Sequence, residues 1–142
     1  MGGCGASSEQ GVPNGWRTVT LGEGVAFAVP PDAVVAAGQA VDSEAGVHTG
    51  EGYRITHDLG EFGESLDDHA DSAGYTAARR PLAGRMAEEV TFVPDDESYA
   101  WARVLKMELD GGRSLVLRVS CDSASRCALA DEVFGSIRIR AS

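Results

Sequence analysis

The chain has 142 residues and a formal net charge of −10 at pH 7, with 22 acidic residues against 12 basic ones. This balance argues against binding nucleic acid or anionic lipid through charge, because both need clustered cations. Hydrophobic residues make up 43% of the chain, which suits one packed core and excludes a disordered acidic tail. No apolar run reaches the length of a transmembrane helix.

The start of the chain is rich in Gly and Ser and has no hydrophobic period. We therefore predict a flexible tether over residues 1–14 and a single domain over residues 15–142. Small residues precede Cys4, and a Gly, Ser and acidic stretch follows it, which resembles the end of a bacterial lipoprotein signal and the start of the mature chain. That resemblance implies a lipid on Cys4, attachment to a membrane and a place in the bacterial cell envelope.

Two other interpretations of this segment stay open. The charged and apolar parts of a lipoprotein signal do not precede Cys4 here, so the match requires a trimmed signal. A plain flexible tail is one alternative. The other is myristoylation at Gly2 with palmitoylation at Cys4, although Ala6 stands where that motif needs Ser or Thr.

Alternating apolar and polar residues predict strands along most of the domain, with turns where Gly, Pro and Asp cluster. In the first half we predict a hairpin over residues 15–30, a second hairpin of 41–48 with 52–59 around Thr49-Gly50-Glu51, and a short surface helix or loop over 65–73. In the second half we predict strands over 75–80, 86–93, 99–109 and 115–119, with a tight turn at Asp110-Gly111-Gly112, and a last strand over 136–140.

The stretch from Cys127 to Phe134 has a helical period, and Gly135 is a natural stop. Leu129 and Val133 are four residues apart and share one face of this helix. The predicted fold class is therefore α+β: an antiparallel β-sheet meander with a C-terminal amphipathic helix packed on it.

Cys121 and Cys127 enclose a five-residue polar loop. This spacing differs from that of a CxxC redox or metal pair, and two cysteines are fewer than the ligands that zinc takes. A disulfide is the natural interpretation for an exported protein, and it agrees with lipidation of Cys4. The alternative is two independent thiols that act as small hydrophobic residues.

Short motifs along residues 15–141 resemble those of the PsbP/Mog-like α/β/α sandwich superfamily, which includes many bacterial lipoproteins. The matching residues are Val29-Pro30; Ile55, Asp58, Gly60, Phe62 and Leu66; Leu82, Gly84, Arg85 and Ala87; Gly112, Leu115 and Leu117; Ala130, Val133, Ser136 and Ile137. The resemblance implies an antiparallel sheet flanked by helices, and it implies no activity, because the superfamily holds accessory subunits and transport factors alike.

Two groups of residues carry polar chemistry that a small hydrolase or metal-dependent enzyme would need. His57 with Asp58 could supply a general base, and His48 lies in the neighbouring predicted strand. The cluster Asp67–Asp71 could offer alternate ligands to a cation, although Ser72 stands where a calcium loop has Gly.

Other clusters have an ordinary explanation. The pair Glu88-Glu89 is expected to face solvent, as is the positive cluster Arg79-Arg80 with Arg85. Aromatic residues at alternating strand positions, such as Tyr53 and Trp101, are expected in the core rather than on a sugar-stacking face.

We therefore expect a non-catalytic cell-envelope lipoprotein that acts as a binding or accessory domain, with no metal or cofactor. Its expected partners are the membrane, through Cys4, and a protein, but no nucleic acid. Two alternatives remain: the small enzyme based on His57 and Asp58 or on Asp67–Asp71, and an immunity- or assembly-type protein that binds one partner through its acidic surface.

Overall fold

The computed structural model describes residues 15–21, 24–35, 45–60, 66–94, 99–109 and 112–139. The predicted tether with Cys4, and the predicted turn residues Asp110 and Gly111, lie outside these ranges. The strands of the described part are β1 (Arg17–Thr20), β2 (Val25–Val29), β3 (Val34–Val35), β4 (Ala45–Gly50), β5 (Tyr53–Gly60), β6 (Thr76–Leu82), β7 (Arg85–Phe92), β8 (Trp101–Glu108), β9 (Ser114–Cys121) and β10 (Arg138–Ile139). The helical elements are a 3₁₀ turn (Leu66–His69), α1 (Ala124–Cys127) and α2 (Leu129–Gly135).

The strands form two antiparallel sheets. The larger has the order β3-β4-β5-β9-β8-β7-β6, and the smaller has the order β1-β2-β10. The sheets and the C-terminal helical segment confirm the predicted α+β class. No helix in the described part of the chain is long and apolar enough to cross a lipid bilayer.

The main core lies between the two sheets and includes the inner face of α2. The large sheet contributes the alternate residues of its central strands, as period-two patterning requires. The small sheet contributes Phe27 and its neighbours, and α2 contributes Val133 and Phe134. A second apolar cluster on the opposite face of the large sheet contains Leu66, Val90, Phe92, Ala102, Val104 and Val116.

A half-buried glycine and a buried tyrosine fix the β4–β5 hairpin. The turn consists of Glu51 and Gly52, so β4 extends to Gly50, and the predicted turn at Thr49–Glu51 is wrong by one to two residues. A Cβ on Gly50 would lie 2.1 Å from Cζ of Tyr53. Any side chain at position 50 would therefore clash with the Tyr53 ring. The Tyr53 hydroxyl donates to Oδ1 of Asp32 at 2.6 Å and thereby ties β5 to the turn before β3.

Three elements differ from their predictions. The first hairpin lies in the small sheet with β10, because β2 pairs with both β1 and β10. The predicted helix over Cys127–Phe134 starts earlier, at Ala124, and is interrupted at Ala128. The predicted polar helix or loop over residues 65–73 contains only the 3₁₀ turn, and Ser65 lies outside the described residues.

Candidate functional site

The structure joins Cys121, the last residue of β9, to Cys127, the last residue of α1, by a disulfide. Their Cα atoms are 5.3 Å apart. Ser123 begins α1, and its Oγ accepts a hydrogen bond from the backbone N–H of Arg126 at 3.1 Å. This short helix therefore has a side-chain cap at one end and a covalent link at the other, and the spacing-based prediction of a disulfide is confirmed.

An open groove lies beside the disulfide. It has a volume of about 390 Å³. The large sheet supplies one wall and the helical segment supplies the other, and the lining residues are Thr91, Trp101, Arg103, Cys127, Ala128 and Asp131. Because Cys127 lines the groove and is bonded to β9, the disulfide holds the two walls in a fixed relation.

The floor of the groove contains an ion-pair network. Arg103 Nε donates to Glu89 at 2.8 Å, Nη2 donates to Asp131 at 2.7 Å, and Nη1 donates to the Cys127 carbonyl at 3.4 Å. Arg80 also approaches Glu89, at 3.3 Å. Burial alone would lower the pKa of Arg103, but the hydrogen bonds to Asp131 and Glu89 outweigh it and raise the pKa. The guanidinium is therefore a fixed charge that joins β8, β7 and α2.

Glu89 is a correction to the sequence analysis. It is only 8% exposed, whereas Glu88 beside it is exposed. The expectation that both face solvent is wrong for Glu89, because its carboxylate has two arginine partners on the core side of the sheet. An arginine in the apolar series Trp101, Arg103, Leu105 was the available signal, since a buried arginine needs a buried acid.

The two sheet histidines come together, but His57 and Asp58 do not. His48 and His57 are 4% and 2% exposed, and their ring centres are 5.8 Å apart. Phe27 packs edge-on against His57 at 5.4 Å. Asp58 is exposed on the opposite face of β5. The strand geometry therefore separates the base from the carboxylate that the enzyme alternative pairs with it.

Within the Asp67–Asp71 cluster, the structure describes the side chains of His69 and Asp71. The ring of His69 stacks on Phe92 at 4.0 Å, and Asp71 is exposed. The side chains of Asp67 and Asp68 lie outside what the structure describes. Among the described residues, no three His, Cys, Asp or Glu side chains form a group that could hold a metal ion.

The strand aromatics and the positive cluster are distributed over several surfaces. Tyr53 is buried, as expected, whereas Trp101 is half-exposed at the groove. Tyr99 lies under the guanidinium of Arg54 at 5.3 Å. Arg79 is exposed on β6, as expected, and Arg80 is half-buried beside Glu89.

A solved structure has this arrangement of sheets and helices. The solution structure of cyanobacterial PsbP (CyanoP) from Synechocystis sp. PCC 6803 aligns with a TM-score of 0.55, covering 90% of this chain and 94% of that one. The domain has a PsbP-like fold. The two sequences are 14% identical, so the PsbP-like fold carries no statement about activity. No protein-family model and no curated protein matches the chain.

Proposed function

We propose that this PsbP-like domain is a non-catalytic binding or accessory module of the bacterial cell envelope, attached to a membrane by a lipid on Cys4. The observation that carries the proposal is the open groove whose wall is held by the Cys121–Cys127 disulfide. A disulfide persists in oxidising compartments such as the envelope. A preformed groove with a half-exposed tryptophan offers a rigid anchor point for a partner.

The network around Arg103 supports binding rather than chemistry. Its guanidinium contacts Glu89, Asp131 and a backbone carbonyl, so these groups hold the groove in shape. General acid–base or nucleophilic work would require a group free to exchange protons or to attack. The two charged residues that line this groove, Arg103 and Asp131, are instead bonded to one another, while Trp101 and Ala128 offer an apolar contact surface.

The first test concerns the compartment. Intact mass spectrometry of the protein made from its natural full-length gene, with and without reductant and alkylation, measures both modifications at once. We expect a chain that starts at Cys4 with an added lipid mass and lacks two hydrogens between Cys121 and Cys127. An unmodified chain with three free thiols would contradict the proposal.

The second test concerns the groove. A photo-crosslinking amino acid at Ala128, which lines the groove, is compared with one at Thr18, which is exposed on the small sheet. We expect a discrete crosslinked protein from position 128 only, and its loss when Trp101 is replaced by Ala. Equal crosslinking from both positions, or no effect of Trp101→Ala, would rule out the groove as the binding surface.

A further inference from the structure

In the part of the chain that the structure describes, β6 forms one edge of the seven-stranded sheet, next to β7. Thr76, Ala77, Ala78, Arg79 and Pro81 are exposed. The opposite edge strand, β3, has only two residues. A long exposed edge offers unpaired backbone groups to any extended chain, and proteins normally block such edges.

The hairpin turn shows which backbone groups of β6 point outward. The turn between β6 and β7 consists of Ala83 and Gly84, whose φ angles are 52° and 80°, as in a type I′ turn. In a two-residue hairpin the flanking pair, Leu82 with Arg85, exchanges hydrogen bonds, and the pattern then alternates along the ladder. The N–H and C=O groups of Ala77 and Arg79 therefore point away from β7. Pro81 offers only its carbonyl.

The side chains on this edge favour an acidic partner. The Arg79 side chain is 70% exposed and lies 3.9 Å from Glu88. An exposed pair at that distance is weak, so Arg79 can accept a new carboxylate. Arg80 projects from the opposite face of the strand, with its side chain 36% exposed. A carboxylate that arrives on either face of the sheet thus finds a guanidinium.

Beside this edge lies a cavity of about 320 Å³ that can receive an apolar side chain. Leu66, Tyr75, Ala77 and Val90 supply the apolar part of its lining, and the charged part consists of Arg79 with Glu88 and Glu89. Ala77 and Arg79 are two residues apart and so share one face of β6. An apolar recess at Ala77 and a positive charge at Arg79 therefore lie two residues apart on one face of β6.

We propose that β6 binds an extended acidic segment of a partner protein, which adds one strand to the large sheet. An antiparallel segment would place an acidic residue opposite Arg79 and, two positions later, an apolar residue opposite Ala77. This inference rests on the binding role proposed above and extends it to a second surface. Arg80 and Arg103 both contact Glu89, so the edge lies directly beside the groove.

A second copy of this chain fits the edge less well. Each copy carries a net charge of −10, so two copies repel one another at long range. A short acidic segment carries less charge and can place its carboxylates on Arg79 and Arg80. The charge pattern therefore favours a short acidic segment over a second copy of the chain.

The test uses the purified chain without lipid and a short extended peptide that has a glutamate and, two positions later, a valine, so that both side chains lie on one face of the added strand. Its lysine counterpart and an N-methylated version are the probe controls. In amide hydrogen exchange, Ala77 and Arg79 should exchange quickly in the free protein and slowly with the glutamate peptide, while Ala78 and Arg80 stay slow throughout. The lysine peptide should bind about three- to tenfold more weakly, as expected for one or two exposed ion pairs. The N-methylated peptide should not bind.

Variants provide the matched controls. Arg79→Glu should reverse the preference between the two peptides, whereas Arg138→Glu, the same charge change on the small sheet, should leave it unchanged. Ala77→Pro removes one outward N–H without removing a bond to β7, and it should abolish binding. Equal binding of both peptides, or slow exchange of Ala77 and Arg79 in the free protein, would overturn the proposal. So would a dimer in analytical ultracentrifugation that Ala77→Pro dissociates. Failure here would leave the lipid and groove tests unaffected.

Discussion

Ser136 links two elements, α2 and β2, through one hydroxyl group. Its Oγ accepts the backbone N–H of Ala28 at 2.8 Å and donates to the carbonyl of Val133 at 2.6 Å. Ser136 is 2% exposed, so water cannot replace either bond. One small side chain thus ends α2 and secures the middle strand of the small sheet.

Replacing Ser136 by Ala should lower the free energy of unfolding by about 1–3 kcal/mol, because the buried N–H of Ala28 loses its acceptor. Urea unfolding would measure the change, with the same dependence of the free energy on urea concentration used for both proteins. Ser125→Ala, on the exposed surface of α1, should change stability by less than about 0.5 kcal/mol. Equal effects of the two substitutions would show that the hydroxyl of Ser136 does not hold the sheet.

Ala83 has a φ of 52°, the only positive value at a non-glycine residue in the described chain. An L-residue with a Cβ is strained in this region, and type I′ turns favour Asn before Gly. Ala83→Asn should therefore stabilise the protein by about 0.5–1 kcal/mol, measured as a rise in the urea midpoint. Ala78→Asn, in an exposed extended strand position, should give no gain. If both raise the midpoint equally, relief of turn strain is not the cause.

At the scale of elements, the disulfide and the Ser123 cap make α1 possible. Four residues are too few for a stable isolated helix, because the first turn loses more conformational entropy than its one hydrogen bond offsets. The link from Cys127 to β9 supplies the missing constraint. The position of Ala128 and Cys127 in the groove therefore depends on the oxidised pair.

Reduction of the disulfide should lower the free energy of unfolding by only about 2 kcal/mol, because the cysteines are six positions apart and close a short loop. Thermal unfolding with and without reductant measures this. The Cys121→Ser/Cys127→Ser double variant should have the reduced stability and should not respond to reductant. A reductant effect that persists in the double variant would assign the loss to another cause.

The strands with strong alternation were predictable, whereas exact ends and breaks were not. The strands from β7 to β9 match their predictions closely, because each has an alternating pattern and a turn signal. The start of α1 was missed because its four residues, Ala124–Cys127, are too few to show a hydrophobic period. The polar loop between the cysteines carried only a capping signal, at Ser123.

On the scale of the whole molecule, the division into two sheets was not predictable from the sequence. Hairpin patterning identifies strands but does not say which distant strand a free edge will join. Here Arg138 pairs with Ala26, across more than a hundred residues. The groove was missed for a related reason: Trp101 and Asp131 carry no joint sequence signal, because only the packing of α2 on the sheet brings them together.

The interface between the sheets holds a group that responds to pH. His48 lies in this interface beside His57, and Arg17 of β1 places a positive charge near His48. Burial, with a smaller contribution from the positive charge of Arg17, lowers the pKa of His48 from its ordinary value of 6.5. The unfolded chain therefore binds a proton near pH 6.5 that the folded chain does not bind.

The free energy of unfolding should consequently be greatest above pH 6.5 and should fall as the pH decreases below that value. Urea midpoints between pH 7.5 and about pH 5 measure the slope, and His48→Leu should reduce it. Asp32, whose pKa is lowered mainly by its hydrogen bond from Tyr53, contributes in a separate range, below its ordinary value of 3.8. An unchanged slope in the His48→Leu variant would show that another group takes up the proton.

The pairing of β2 with both β1 and β10 also sets an order of events during biosynthesis. Residues 25–29 are made before Ser136 and Arg138, which complete their surroundings and follow more than a hundred residues later. Contacts of such long sequence separation form slowly, because a large loop must close first. The small sheet cannot close around β2 until translation has passed residue 139, so this face of β2 stays open until the last strand of the sheet has been made.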